Sequence, residues 1–204
     1  KIGDGIIQPR AIQTAIEHKF PVPQLQSPPD CQHGIGIVLL HREHIGPLGG
    51  IAKGYAADEA WRILKESGGN DGLVDLGGNI VVIGEKNVGV RNPLSKNDGD
   101  YFGIITVSDC AVATSGGYER YFEQDGVKYH HIFDPYTGFP AQTDVLSATV
   151  ICDKAIDADC WSTILFSAGL NRAQEYIKEY SLDAIIVDSN NFVHIYGNVD
   201  FTMK

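Results

Sequence analysis

Apolar residues recur at helical spacing in three segments of the chain. In Tyr55–Ser67, small and aliphatic residues repeat every three to four positions, and a glycine pair follows. The same spacing predicts a helix over Ala155–Ala168, ended by Gly169, and another over Arg172–Tyr180. Glycine after the last periodic residue is a common helix stop, because it adopts the left-handed conformation without strain.

Runs of β-branched and aromatic residues bounded by turn residues predict the strands. They cover Gly72–Ile83 with an interruption by two glycines, Tyr101–Val107, Val127–Ile132, Leu146–Cys152, Ala184–Val187 and Phe192–Tyr196. The predicted order is a run of strands, then helices, then strands again. This order lacks the strict strand–helix alternation of a doubly wound sheet. The order therefore predicts a single α+β domain, in which a mainly antiparallel or mixed sheet is layered with helices.

The N-terminal segment, residues 1–33, has a different pattern. A proline at position 9 precedes Arg10–Lys19, which is typical of a short helix with proline in its first turn. Four of the nine prolines then fall within residues 21–29, which excludes a helix interior or a central strand there. We therefore divide the chain into an N-terminal helix with a proline-rich connector, residues 1–33, and a domain over residues 34–204 that opens with a strand at Gly34–Leu40.

Charge and composition exclude several classes of function. The 204 residues carry 16 Lys and Arg against 26 Asp and Glu, a net charge of −10, with no basic cluster. Because nucleic-acid binding relies on basic side chains that displace counterions from phosphates, no nucleic-acid partner is expected. No apolar run approaches the ~20 residues that a membrane helix needs.

The cysteines are uninformative about the compartment. They form no C-x-x-C pair, which argues against a zinc site. Disulfide bonding and burial as free thiols are both open for Cys31, Cys110, Cys152 and Cys160.

Three glycine-containing segments could bind a ligand or serve only as turns. Gly50 and Lys53 precede the helix predicted over Tyr55–Ser67, where backbone N–H groups and a lysine can bind a phosphate; the alternative is a tight turn with a solvated lysine. The Gly77-Gly78 pair interrupts a strand pattern, which indicates a bulge or close approach by a ligand or another backbone. Residues 114–121 are expected to form a polar, flexible turn that either encloses a polar ligand or is only a loop.

Two adjacent histidines, His130 and His131, lie on the strand predicted over Val127–Ile132 and precede a turn. Successive side chains of a strand point to opposite faces, so the two imidazoles should diverge. One histidine is therefore expected to be structural, and the other could move a proton near neutral pH.

A carboxylate and a hydroxyl share one face of the helix predicted over Ala155–Ala168. Asp159 and Thr163 are four residues apart, whereas apolar residues such as Trp161 and Leu165 fall on the opposite face. Hard oxygen ligands of this kind suit Mg²⁺, which takes few protein ligands and completes its shell with water and phosphate. The alternative is an exposed polar face without a ligand.

Five motifs, in this order, resemble those of the ApbE family of flavin transferases, the FAD:protein FMN transferases. The motifs are Gly50–Tyr55 (G-I-A-K-G-Y), Asp75–Gly78 (D-L-G-G), Thr114–Arg120 (T-S-G-x-Y-E-R), His131–Gly138 (H-I-x-D-P-x-T-G) and Ala158–Thr163 (A-D-x-x-x-T). The resemblance extends from near Leu48 to the C-terminus. Residues 1–47 are shorter than the segment that precedes the first motif in the family, so the chain resembles an abbreviated member or one that continues upstream.

The resemblance implies a specific reaction. Family members transfer the FMN phosphoryl group of FAD to a threonine hydroxyl of a partner flavoprotein, release AMP, and require Mg²⁺. Carried over by position, Asp159, Thr163 and the carbonyl of Gly50 would bind the metal, and His131 and Asp159 would be catalytic, with His131 deprotonating the acceptor threonine. The residues that would contact the flavin nucleotide are Gly50, Lys53, Gly77, Gly78, Ser115, Glu119 and His131.

Two alternatives to the transferase are retained. One is an FAD pyrophosphatase that yields FMN and AMP, and the other is a catalytically idle FAD-binding member. By resemblance we expect a location in the periplasm or at the outer face of the bacterial inner membrane, with membrane association only through an N-terminal anchor upstream of Lys1. The acceptor protein and the oligomeric state are not determined by the sequence.

Overall fold

The computed structural model describes residues 50–97, 99–134 and 137–204. The helix predicted over Arg10–Lys19, the proline-rich connector and the strand predicted over Gly34–Leu40 lie outside these ranges. The division of the chain at residue 33 therefore stays a prediction. Within the described ranges, no helix combines the length and apolarity needed to cross a membrane.

Three helices and eleven strands make up the described part of the chain. In chain order they are α1 (Ala52–Glu66), β1 (Gly72–Asp75), β2 (Asn79–Ile83), β3 (Glu85–Arg91), β4 (Tyr101–Ser108), β5 (Ala111–Gly116), β6 (Tyr121–Gln124), β7 (Val127–His130), β8 (Val145–Cys152), α2 (Ala155–Ala168), α3 (Leu170–Tyr180), β9 (Asp183–Asp188), β10 (Val193–Tyr196) and β11 (Phe201–Met203). The predicted helices and strands in these ranges are all present, with some ends shifted by a few residues.

The strands that pair in the described residues do so in antiparallel fashion. One sheet has six strands in the order β1-β2-β5-β8-β9-β10, a second has three in the order β11-β4-β3, and β6 pairs with β7 as a separate hairpin. The predicted α+β class, with a mainly antiparallel sheet layered with helices, is confirmed.

The six-stranded sheet is covered on both faces. Its first face packs on α2 and α3 around Phe166, and its second packs on the three-stranded sheet around Ile105. Within β9, Ala184 and Ile186 face the helices, whereas Ile185 faces the three-stranded sheet. A strand with both faces covered carries apolar residues at consecutive positions, which explains the unbroken apolar run in β9.

The hydrophobic pattern does not predict β3, β5, β6 or β11, and at β5 it predicts the wrong structure. Thr114, Ser115 and Gly116 belong to a buried strand that pairs with β8, so the turn expected from residue 114 begins only after Gly116. The β5 sequence Ala-Val-Ala-Thr-Ser-Gly is built mostly of small residues, and α2 packs directly on this strand. Small side chains make room for the helix but give little sign of a strand in the sequence.

The helices α1 and α2 approach each other at a glycine. Helix α1 begins at Ala52, so Lys53 and Gly54 belong to its first turn and not to a loop before it. A Cβ atom added at Gly54 would lie only 2.4 Å from the carbonyl oxygen of Ala155. No other residue type lets the two backbones come this close, because every other one carries that Cβ.

A carboxylate of α1 caps the N-terminus of α2. The Asp58 carboxylate accepts hydrogen bonds from the backbone N–H groups of Ala155 (2.7 Å) and Ile156 (3.0 Å). The residue that precedes α2, Lys154, makes no side-chain cap of its own. Because the first N–H groups of a helix lack partners within it, Asp58 both caps α2 and ties it to α1.

The described cysteines are free thiols, so the disulfide alternative does not hold among Cys110, Cys152 and Cys160, whereas Cys31 lies outside the described ranges. Burial raises the pKa of both Cys152 and Cys160 to about 12. Since the thiolate is the reactive form, these two side chains act as small interior groups.

The Asp58 cap generates a stability prediction. We expect Asp58→Ala to lower the free energy of unfolding by about 1–2 kcal/mol, the usual value of a side-chain cap, because two N–H groups of α2 lose their acceptor. The matched control is Glu59→Ala on the same helix, which removes only a solvent-exposed ion pair with Arg62. Urea denaturation of both variants measures the difference, and equal stability of the two would contradict the capping role.

Candidate functional site

Asp159 is buried at the contact between α1 and α2. Its side chain is 4% exposed, and its Oδ2 accepts a hydrogen bond from the backbone N–H of Gly54 at 2.9 Å. The expectation that Asp159 points away from the packed face of α2 is therefore wrong, because α1 covers that side of the helix. Burial raises the pKa of the Asp159 carboxyl, while the Gly54 N–H, the nearby Lys53 and the Asn79 amide act in the opposite direction.

Thr163 lies one helical turn beyond Asp159 and belongs to a cluster of hydroxyl groups. Its Oγ1 donates to the carbonyl oxygen of Asp159 at 3.1 Å, as expected for a threonine inside a helix. The Ser115 hydroxyl lies 3.2 Å from Thr163 Oγ1 and 2.9 Å from Ser162 Oγ. A Cβ atom at Gly50 would be 3.7 Å from Thr163 Oγ1, so that residue is adjacent as well.

The donor set at Gly50, Asp159 and Thr163 fits a hard divalent cation. Thr163 gives its hydroxyl proton to a carbonyl, so the oxygen lone pairs are available to a cation. Among the described residues there is no group of three or more His, Cys, Asp or Glu side chains that could hold a metal. A site with one carboxylate, one hydroxyl and a backbone carbonyl suits Mg²⁺, which commonly keeps several of its waters.

The Gly77-Gly78 pair forms the turn between β1 and β2 and not a bulge within a strand. Both glycines have positive φ, at 73° and 85°, a conformation that other residues rarely adopt. The Asp75 Oδ1 accepts the N–H groups of Gly77 (2.9 Å) and Gly78 (3.1 Å), which holds the turn. Lys53 donates from Nζ to the Gly77 carbonyl at 3.1 Å, so the lysine joins α1 to this turn instead of being solvated alone.

Glu119 lies at the same turn and is accompanied by two residues that the sequence analysis missed. A Cβ atom at Gly78 would be 3.9 Å from Glu119 Oε1, and Arg91 Nη1 is 3.8 Å from the same oxygen. The Arg91 guanidinium also lies 5.1 Å from the centre of the Tyr118 ring. Burial, and then the Glu119 charge, raise the pKa of Tyr118 to about 12. Arg91 comes from β3 in the other sheet, so nothing in its local sequence indicates this proximity.

The two histidines diverge, as predicted. His130 is half-buried: Nδ1 accepts the Ile132 N–H at 3.3 Å, Nε2 lies 3.1 Å from the Ala141 carbonyl, and the ring packs edge-on against Phe166. These partners define a neutral imidazole with its proton on Nε2. Burial lowers the pKa of His130 and makes this form more favourable.

His131 lies just beyond the end of β7 and is exposed. Its Nδ1 is 3.2 Å from the Arg120 carbonyl, and a carbonyl can only accept, so Nδ1 carries the proton in this contact. In a neutral imidazole, Nε2 then has a free lone pair and can act as a base. Among the described residues, His131 hydrogen-bonds to Arg120, the residue after Glu119. It makes no hydrogen bond to Asp159 or Thr163 there.

The family follows from a comparison of the whole chain with known protein families. A model described as "ApbE family" matches residues 13–186. The chain belongs to the ApbE family. The match covers the described site residues as well as most of the N-terminal segment.

Curated and solved relatives of this ApbE-family chain agree with the assignment. The FAD:protein FMN transferase of Treponema pallidum is 41% identical over 155 residues, which cover 69% of this chain and 42% of that protein. A protein of the same name from Klebsiella pneumoniae is 40% identical over 144 residues, 70% of this chain and 45% of that one. The chain therefore spans less than half the length of these two relatives.

The solved structures show the same fold. The ApbE protein of Thermotoga maritima is 39% identical, with a TM-score of 0.67 over 73% of this chain and 50% of that chain. The flavin transferase ApbE of Vibrio cholerae is 28% identical, with a TM-score of 0.59 over 72% and 48%. The antiparallel sheet and its helices are thus a family architecture.

The environment of His130 predicts a pH dependence of stability in this ApbE-family chain. Since burial lowers its pKa below the ordinary 6.5, the unfolded chain takes up a proton first as the pH falls. The contribution of His130 to the free energy of unfolding is therefore complete above pH 6.5. It decreases as the pH falls below 6.5 and stops changing once the pH is below the lowered pKa of the folded state. We expect the stability difference between wild type and His130→Gln, measured by urea denaturation, to shrink from pH 7.5 to pH 5. A difference that stays constant over this range would contradict the prediction.

Proposed function

We propose that the chain provides the catalytic part of an FAD:protein FMN transferase, which moves the FMN phosphoryl group of FAD to a threonine hydroxyl of a partner flavoprotein and releases AMP. The observation that carries the proposal is that three distant segments of the chain meet in one place, bringing together Gly50, Ser115 and the Asp159–Thr163 pair. Two further supports are the names of the Treponema and Klebsiella relatives and the match to the ApbE family.

The nucleotide would lie against the β1–β2 turn and the first turn of α1. The Lys53 ammonium is already held at the Gly77 carbonyl, where it can meet a phosphate without a large rearrangement. Glu119, positioned by Arg91, supplies a carboxylate that can accept hydrogen bonds from hydroxyl or amine groups of the nucleotide. The Ser115 hydroxyl is placed beside Thr163, at the boundary between this region and the cation donors.

The cation would be held by the Asp159 carboxylate, the Thr163 hydroxyl and the carbonyl of Gly50. Mg²⁺ held by these residues would supply positive charge to neutralise the phosphoryl oxygens. Asp159 brings the negative charge of the site, and its hydrogen bond from Gly54 fixes the orientation of the carboxylate.

His131 would act on the acceptor and not on the nucleotide. Its Nε2 lone pair can take the proton of the threonine hydroxyl while that oxygen bonds to the FMN phosphorus and AMP leaves. The Arg120 carbonyl holds the other ring nitrogen and so maintains the tautomer that this step requires. The exposure of His131 supports this role, since a protein acceptor must reach it.

The location belongs to the proposal as well. On the basis of the family resemblance, we assign the reaction to the periplasm or to the outer face of the bacterial inner membrane. Fractionation of the source cells, followed by detection of the chain, tests this assignment.

An assay of the reaction products distinguishes the transferase from the two alternatives. FAD and Mg²⁺ are incubated with the full chain, with and without a threonine-bearing acceptor flavoprotein, and the products are separated by chromatography. Covalent flavin on the acceptor with release of AMP supports the transferase. Free FMN and AMP without an acceptor indicate a pyrophosphatase, and unchanged FAD in both samples indicates an idle member.

A first variant addresses the cation donor. Because Asp159 is buried and accepts the Gly54 N–H, asparagine is preferable to alanine: it keeps the shape and an acceptor and removes only the charge. We expect Asp159→Asn to lower Mg²⁺-dependent transfer by ~10²-fold or more, since metal charge stabilisation contributes several kcal/mol. The control Asp157→Asn lies on the same helix and should transfer normally; full activity of Asp159→Asn would exclude the role.

A second pair of variants distinguishes the two histidines. We expect His131→Ala to slow transfer by ~10²–10⁴-fold, the usual contribution of an acid–base group, while FAD affinity changes little. His130→Ala should mainly lower stability, because it removes contacts with Ala141 and Phe166. Transfer rates and FAD titrations of both variants provide the test, and an inactive His130→Ala beside an active His131→Ala would reverse the assignment.

A further inference from the structure

Asn79 is a buried amide whose polar atoms have no partner in the described part of the protein. It is the first residue of β2, directly after the glycine turn, and its side chain is 1% exposed. Neither Nδ2 nor Oδ1 makes a hydrogen bond among the described residues. Buried amides are almost always hydrogen-bonded, because an unpaired one forfeits the bonds it made to water. A residue that costs stability in this way calls for a reason other than packing.

Its surroundings make the amide more unusual. Asn79 pairs in register with Ala113 of β5, and the neighbouring cluster between the sheet and the helices consists mainly of alanine and valine side chains. An apolar side chain with the same branched shape, such as leucine, would avoid an unpaired polar group at this position. Packing therefore does not explain why an amide stands here.

The strand that carries the amide, β2, packs on both α1 and α2, the helices that form the candidate cation site. The Asn79 amide lies beside the Asp159 carboxylate, although the pair does not meet the geometry of a hydrogen bond. The Gly54 N–H holds Asp159 Oδ2, which leaves Oδ1 as the oxygen available to a cation or an amide. The amide offers donor hydrogens on Nδ2 and an acceptor on Oδ1, so it can pair with two different groups at once.

We propose that Asn79 is a positioning residue for the cation, in which Nδ2 donates to the Asp159 carboxylate and Oδ1 accepts from a water molecule bound to the cation. Both polar atoms of the amide are then paired only in the cation-loaded protein. The unpaired amide lowers the stability of the cation-free protein, and cation binding restores that stability. The inference rests on the proposed function, since it requires the cation at Asp159. Groups that orient the ligands of a metal typically change its affinity by ~10–100-fold.

Two variants separate this role from a structural one. Asn79→Leu removes the amide and keeps the branched shape of the side chain, whereas Asn79→Ala removes the amide and leaves a smaller side chain. The control is Thr149→Val, which removes a buried hydroxyl from the same sheet, where its partner is Thr114 and not Asp159. All are made in the full chain, and the readouts are Mn²⁺ affinity, from the electron paramagnetic resonance signal of the free ion with FAD present and no acceptor, and the cation-free melting temperature.

We expect both Asn79 variants to bind Mn²⁺ ~10–100-fold more weakly than wild type. The cation-free melting temperature of Asn79→Leu should equal or exceed that of wild type, because the unpaired amide is gone. Thr149→Val should show the reverse pattern, with lowered stability and unchanged Mn²⁺ affinity.

Wild-type Mn²⁺ affinity in both Asn79 variants, together with lowered cation-free stability, would overturn the inference and make Asn79 a structural residue. That result leaves the proposed function intact. Absence of Mn²⁺ binding in the wild type with FAD would overturn the proposed function and the inference together, so the two failures are distinguishable.

Discussion

The hydrogen bond from the Gly54 N–H to the Asp159 carboxylate joins α1 to α2 in the interior of the domain. It can form because Gly54 has no side chain, so the first turn of α1 lies directly against the Ala155 carbonyl. The same contact brings Lys53 to the β1–β2 turn and Gly50 to Thr163, and Asp58 reinforces it by capping α2. The oxygen donors, the lysine and the glycine turn thus all depend on one close approach of two backbones.

The site is a polar region within a closely packed interior. The helices pack on β5 through small side chains, and this leaves space for the hydroxyl groups of Ser115, Ser162 and Thr163 to pair with one another. A buried carboxylate in such a place is unfavourable without partners, which is why burial raises the pKa of Asp159. In the proposed function, a bound divalent cation would supply the charge that compensates it.

The residues proposed to hold the cation are buried, whereas the histidine proposed to act on the acceptor is exposed. Asp159 and Thr163 are held between helices and sheet, where water is largely excluded and charge interactions are strong. His131 stands at the exposed end of the β6–β7 hairpin, attached through the Arg120 carbonyl to the segment that bears Glu119. In the proposed function, this arrangement would hold the nucleotide in the interior while a protein acceptor approaches from solvent.

The sequence by itself determined the helix over Ala155–Ala168, most of the strands, the α+β class and the divergence of His130 from His131, because periodicity and glycine positions are local properties. It also determined the motifs that relate the chain to the ApbE family. Only the tertiary structure decided that Asp159 is buried, that β5 is a strand beneath α2, and that Arg91, Tyr118 and Asn79 belong to the site. These features arise from contacts between residues far apart in the chain. A helix or strand that packs on a polar face buries it, and the local pattern of polar and apolar residues does not reveal this.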